Sequence, residues 1–592
     1  MKEFFKFMFA SLLGTLLTLL LLLFIFIGMI SALVSMADNE QVKLKTNTLL
    51  TIKFDQPIVD RSSNNPLENF NFMSFKAENT LGLNDILKNI EKAAIDPNIS
   101  GIYMDLSSMN VGMANLEEIR LKLLKFKESG KFIISYSEDY SQATYYLASL
   151  SNEIYLNPEG VVMFKGLSSQ LAFIKNMLEK LEIEPQIIRG PNNKFKSAVE
   201  PLMYDKMSEA NREQMQTLLN SIWGKLISSI SESRNISIAE LNLIADNLEL
   251  ATAEKAMEYK FVDGLAYKDE ILAKLRQKTG VAEKDDIESV SIGKYTKAEV
   301  GEKNTSRNKI AVIYAIGEIS SGEGSETSIG SESLSKEIRK AREDEKIKAI
   351  VFRVNSPGGS ALASEIIRRE VELAKNTKPF IVSMGDVAAS GGYWISTNAD
   401  YIFADETTIT GSIGVFGIIP NMKGLFNNKL GITFDKVMTN KNADFFGTME
   451  PLSEYQFAKI QDDVVRIYDD FTGLVARTRN LRQSYVDSIG QGRVWAGSDA
   501  VNLGLVDKIG GIEDAIAYAA EKASLGKDFK ITELPVQKDP VQKLIEEMGG
   551  QTRVKATLKQ QLGDYYGYVE YLEQVKGMTG IQARLPFKMV IE

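Results

Sequence analysis

Hydrophobic positions fall into three kinds of run along this chain. The first is one uncharged stretch over residues 7–37, dense in Leu, Phe and Ile and preceded by Lys2 and Lys6. A helix needs about 20 apolar residues to cross hydrocarbon, so this run predicts a single membrane span. It exceeds the apolar stretch of about 7–15 residues in a cleavable leader. The small residues Ser31, Ala32 and Ser35 leave cleavage open, but the length favours an uncleaved anchor. Lysines ahead of the span hold the N-terminus on the cytoplasmic side, which puts the chain after Asp38 across the membrane. No second run of that length follows.

The second kind is short and wholly apolar, as at 310–316, 349–354 and 380–383, and reads as buried strands. The third has apolar residues at helical spacing, as at 334–342 and 363–374. Strands alternating with helices predict an α/β fold on a largely parallel sheet. The pattern also occurs twice. Phe132-Ile133-Ile134-Ser135 and Phe380-Ile381-Val382-Ser383 lie 248 residues apart, as do Gly101-Ile102 and Ala349-Ile350, and Gly166 and Gly414. At an offset of 250, Glu200-Pro201-Leu202 matches Glu450-Pro451-Leu452; later, Phe261-Val262-Asp263 echoes Leu505-Val506-Asp507. A repeat of that size is a duplicated domain. The expected division is an anchor over 1–37, a first copy over 38–294, a charged linker over 295–309, a second copy over 310–536, and a mostly helical extension over 537–592 with a strand near 587–591.

Composition removes whole classes of chemistry. The 592 residues contain no cysteine and no histidine. Disulfides, thiolate nucleophiles and cysteine-ligated metals are excluded, as are imidazole bases and Ser-His-Asp triads. Proton transfer falls to Lys, Asp, Glu or Tyr. A net charge of −9 gives no reason to expect nucleic acid as a partner.

Two segments of the second copy could carry chemistry. Asn355-Ser356-Pro357-Gly358-Gly359-Ser360 follows a predicted strand, and its glycines free the backbone to turn N–H groups toward an oxygen; by itself it is an ordinary turn. In Gly385-Asp386-Val387-Ala388-Ala389-Ser390-Gly391-Gly392, Ser390 stands between a strand and a helix, as a helix cap or as a nucleophile. Comparison of the copies separates these readings. Ser390 faces Gln142 in the first copy, Ser412 faces Phe164, and Pro357-Gly358-Gly359 faces Met109-Asn110-Val111. Conversely, Lys196 of the first copy faces Phe446 of the second. A hydroxyl in one copy and an amine in the other fits one site shared between them, although drift would also scatter such differences. An isolated lysine is otherwise a solvated surface residue.

Four segments together, the Asn355–Ser360 loop, Asp386–Tyr393, Thr410–Val415 and Lys196–Pro201, resemble the signal peptide peptidases of the protease IV type in its long, duplicated form. The resemblance weakens only after about residue 536. It implies tandem ClpP/crotonase-like α/β domains behind a transmembrane helix, and a serine endopeptidase of the bacterial inner membrane facing the periplasm. It further implies Ser390 as nucleophile, Lys196 as general base, Ser412 orienting the lysine, and Gly358, Gly359 and Gly391 around the oxyanion hole. Signal peptides and other apolar peptides are the implied substrates, with no cofactor and no metal, in a homotetramer anchored in the bilayer through residues 7–37. Against this stand a crotonase-like acyl-CoA enzyme, which a membrane anchor disfavours, and a proteolytically silent membrane scaffold.

Overall fold

The computed structural model describes residues 2–38, 42–62, 70–71, 76–77, 80–282, 284–301, 304–325, 327–537 and 580–585. Each copy builds a largely parallel sheet in which six strands follow the same order, and the second copy's sheet adds Ile409–Gly411 beside Phe380–Ala389, with Val494–Ala496 antiparallel to Ile409–Gly411. In the first copy the shared order runs Gly264–Leu265, Glu153–Leu156, Phe132–Ser137, Ile99–Asp105, Thr48–Ile52, Ser289–Ser291. In the second it runs Lys508–Ile509, Tyr401–Ala404, Phe380–Ala389, Ile347–Ser356, Lys309–Ile316, Lys530–Leu534. The central strands are buried along nearly their whole length, as parallel strands covered on both faces must be.

The duplication extends to individual hydrogen bonds. Lys131 Nζ donates to the carbonyls of Ala93 and Asp96, and Lys378 Nζ to those of Ala341 and Asp344. Tyr145 Oη reaches Phe261 O at 2.9 Å, and Tyr393 Oη reaches Leu505 O at 2.8 Å. Asp263 accepts from Ile154 N–H and pairs with Arg234, while Asp507 accepts from Ile402 N–H and pairs with Arg479. These bonds satisfy buried polar groups at strand ends and helix ends, where leaving one unmade costs about 1–3 kcal/mol.

The expected strands are longer than their apolar runs. Residues 349–354 lie within Ile347–Ser356, and 380–383 within Phe380–Ala389. The second extension carries Gly385 and Asp386, which hide it from a hydrophobicity reading. It stays extended because Asp386 Oδ1 accepts the N–H groups of Ala114 and Asn115 at 3.0 and 3.1 Å. A second-copy carboxylate thereby caps the first-copy helix Met113–Lys127. Tyr295, the first residue of the expected linker, instead closes the helix Ile292–Tyr295, where it is fully buried and donates to Asp96 at 2.8 Å.

The copies share one interior. A single apolar cluster joins Leu116, Ile119 and Leu123 of the first copy to Val351, Ile381 and Ala519 of the second. Beside it Arg353, fully buried, pairs with Asp60 and Glu118 at 2.7 Å each and donates to Asn115 and Ser383 at 2.8 Å.

A third sheet crosses the junction in the order Ser328–Gly330, Glu318–Ser320, Gly358–Ser360, Gly580–Arg584, Phe416–Asn421, Glu184–Arg189. Its last strand belongs to the first copy, and Gly580–Arg584 comes from the C-terminal extension. The helical content expected after 537 and the strand expected near 587–591 lie outside the described residues. The apolar run 7–37 falls in the helix Lys2–Asp38, whose side chains are described mainly up to Leu22. Among the described residues no helix is long and apolar enough to cross a membrane.

Candidate active site

Ser390 follows the strand Phe380–Ala389 and precedes the helix Gly391–Ser396, with φ 55° and ψ −113°. Positive φ is sparsely populated by residues bearing a Cβ, and persists where the surroundings impose it. Here they do so from both sides. Ser390 N–H donates to Gly411 O, and Trp394 N–H donates to Ser390 O, each at 2.8 Å. Ser412, with φ 49°, is fixed through its own N–H to Arg493 O at 2.7 Å.

Lys196 arrives from the other copy. Its Nζ lies 2.8 Å from Ser390 Oγ, 2.9 Å from Ser412 Oγ and 3.1 Å from Ser412 O. Lys196, Ser390 and Ser412 are all fully buried. An ammonium in such surroundings loses its hydration, and burial alone holds the Lys196 amine well below the ordinary lysine range, with no carboxylate beside it to raise it. The three oxygens around Nζ satisfy either the three donors of an ammonium or the two donors and one lone pair of a neutral amine, and burial favours the neutral form.

Residues that sequence reasoning did not single out hold this lysine in place. Gln214, fully buried, donates to Phe195 O at 3.0 Å and Ser197 Oγ at 2.9 Å, clasping the residues on either side of Lys196. Gly492 has φ +83°, and a Cβ there would stand 2.4 Å from Lys196 Cβ and 2.7 Å from its backbone nitrogen. A Cβ on Gly414 would lie 3.3 Å from Lys196 Cδ. The amine is therefore threaded through a slot that only glycine backbone leaves open. Gly414 could have been found through its match to Gly166; Gln214 and Gly492 carry no local signal.

Gly358 and Gly391 face one another, since a Cβ on Gly358 would stand 2.6 Å from Gly391 N. The carbonyl oxygen of Ala583 lies in the opening between them, 2.1 Å from such a Cβ on Gly358 and 3.1 Å from one on Gly391. Gly359 sits in the ladder between Ile319 and Ala583. Gly358 N–H makes a long 3.2 Å bond to Ser356 Oγ. The C-terminal strand thus lies antiparallel along the loop that carries these glycines.

Among the described residues the first copy has no such site. Gln142, at the position of Ser390, accepts from Lys165 and Gly166 N–H at 2.8 Å each and donates to Gly166 O at 3.0 Å. Its amide plugs the space in which a nucleophile would work.

The model of Peptidase family S49 matches residues 125–282 and 372–526, one match in each copy. "Protease 4" of Haemophilus influenzae is 37% identical over 470 residues, covering 76% of this chain and 75% of that protein. "Protease 4" of Salmonella typhi is 39% identical over 454 residues, covering 74% and 72%. "Serine protease SPPA, chloroplastic" of Arabidopsis thaliana is 35% identical over 460 residues, covering 76% and 67%. Similarity of that extent, with both copies matched, means that the chain belongs to peptidase family S49 and is a serine peptidase.

Proposed function

We propose that this peptidase is membrane-anchored and degrades cleaved signal peptides with Ser390 as nucleophile and Lys196 as general base. The observation that carries this reading is the 2.8 Å approach of a fully buried, charge-isolated amine to a serine hydroxyl held on a strained elbow. The neutral Nζ takes the Oγ proton as Oγ bonds to the peptide carbonyl carbon. The oxyanion is received by backbone N–H groups among Gly358, Gly359 and Gly391. When the C–N bond breaks, the ammonium returns its proton to the leaving amine. Water then attacks the Ser390 ester, gives a proton to Nζ, and Oγ departs and recovers it. Ser412 orients the amine through its 2.9 Å bond.

The slot between Gly358–Ser360 and Phe416–Asn421 accepts one antiparallel strand. An extended peptide entering there gains main-chain hydrogen bonds without regard to its sequence. Ala583, at this position, packs among Ile188, Ala361, Val415 and Ile419, an apolar surface suited to the apolar segment of a signal peptide. The uncharged run 7–37 supports a single span with the N-terminus cytoplasmic. The reading therefore puts the catalytic domains on the periplasmic face of the bacterial inner membrane, in a ClpP/crotonase-like architecture and a homotetramer.

The test is hydrolysis of a synthetic signal peptide by the full-length protein in detergent. Ser390→Ala and Lys196→Ala should each lose at least ~10²-fold in rate, the lower end of general-base contributions. Equal rates in all three proteins would overturn the dyad.

A further inference from the structure

The loop that carries Lys196 is fastened by the second copy as well as by Gln214. Residues 490–493 join the helix Gln483–Ile489 to the strand Val494–Ala496, and they meet the site residue by residue. Gln491 O accepts the N–H of Phe195 at 2.9 Å, Gly492 closes on the Lys196 backbone, and Arg493 O accepts the N–H of Ser412 at 2.7 Å. One short turn therefore grips both the first-copy loop that bears the amine and the serine that the amine touches. Gln491 and Gly492 are both left-handed, at φ 53° and 83°. For Gln491, which has a Cβ, that shape persists where contacts impose it.

Tyr468, on the helix Glu454–Thr478, supplies such a contact. Its Oη accepts the N–H of Gln491 at 3.2 Å and donates to Asp487 Oδ1 at 2.6 Å. The same Oδ1 accepts from Asn192 Nδ2 of the first copy at 3.0 Å, just upstream of Lys196. Asp487 thus holds the amine-bearing loop directly at Asn192, and through Tyr468 it holds the turn that receives Phe195. A tyrosine serving only to pack two helices would have no need to aim its hydroxyl at this turn. Here both bonds of the hydroxyl go to groups that frame Lys196.

We propose that Tyr468 and Asp487 are positioning residues of the peptidase reaction, which keep the Lys196 amine in line with Ser390 by fixing residues 490–493 against the loop 192–196. The proposal rests on the Ser390–Lys196 reading above and deepens it. The pair acts through backbone and not on the substrate. Proton transfer needs heavy atoms within about 2.6–3.2 Å, so a turn that yields at Gln491 is felt at Nζ. It also loosens the packing that shuts water away from the amine, because Gly492 lies against Lys196 Cα and Cβ. The charged groups on this loop are Lys194 and Arg493 over the Phe195 ring, with Glu213 paired to Arg493. A substitution at Tyr468 leaves all of them in the chain.

The test is peptide hydrolysis by the full-length protein in detergent, with kcat and KM followed across pH and a thermal melt run on each variant. Tyr468→Phe keeps the ring and removes the hydroxyl. It should lower kcat by about 2- to 10-fold, the range that one hydrogen bond commands, while KM is kept. The rise of kcat with pH should also move to higher pH, because an amine that regains water is harder to deprotonate. Asp487→Ala should act in the same direction, and Asp487→Asn, which retains Oδ1 as an acceptor, should recover most of that loss. A lowered melting temperature with kcat and the pH profile unmoved would make the pair merely structural and overturn the proposal. Failure of the underlying dyad looks different: Lys196→Ala in the same series would then keep the wild-type rate, and both readings would fall.

Discussion

At the residue scale, the Lys196 amine carries a thermodynamic signature. Folded, its burial favours the neutral form and holds it well below the ordinary lysine range; unfolded, it returns to about 10.4 and is protonated near pH 7. The unfolded chain then binds the extra proton, so this residue makes stability rise with pH between its lowered value and about 10.4. Lys196→Met removes that titration at similar volume. Thermal melts should find the variant more stable than wild type at about pH 7, the advantage shrinking as pH approaches about 10. A pH-independent difference would mean that Lys196 is not neutral in the fold. Both members of the pair were legible through the segments that carry the family resemblance, with the absence of histidine and the difference between the copies at these two positions in support. Gln214 and Gly492 were not legible: they act through contacts with residues 18 and 296 positions from Lys196 (214 − 196 and 492 − 196), which only the folded chain creates.

At the scale of elements, the strand Gly580–Arg584 occupies the slot proposed above for an extended peptide, and Arg584 is tied to Glu318 at its end. Ala583 is fully buried there, so Ala583→Glu sets a carboxylate in an apolar pocket and should expel the strand. Michaelis kinetics on a short peptide should then show KM falling, with kcat largely kept; an unchanged KM would mean that the strand and the substrate do not share the slot. The alternation of strands and helices was readable from periodicity alone, including the central strands of the second sheet. What periodicity concealed was the continuation of a strand through Gly385 and Asp386. There a side chain from one copy caps a helix of the other, and tertiary pairing overrides local propensity.

For the whole molecule, the duplicated sequence suggests two bodies, whereas the shared core makes them one cooperative unit. Arg353 concentrates this, since Asp60 and Glu118 of the first copy meet it inside the second. Arg353→Met leaves two buried carboxylates without their partner, a change that costs about 3–5 kcal/mol. Thermal unfolding should show one transition, shifted down by the substitution. Two separate transitions, with only one shifted, would show that the copies unfold independently. That the copies meet was expected from their complementary residues; how closely was not, because Arg353 and Glu118 read in sequence as ordinary charged positions on a strand and a helix.

The most direct measurement of the central claim is the rate at which a peptidyl phosphonate labels the protein, followed by intact mass and peptide mapping across pH. One adduct should form, on Ser390, with a rate that rises with pH through a single ionisation well below about 10.4. Lys196→Met should remove that ionisation and slow labelling by at least ~10²-fold. Adduct formation at another residue, or unchanged labelling in the Lys196→Met variant, would contradict the pairing of Ser390 with Lys196.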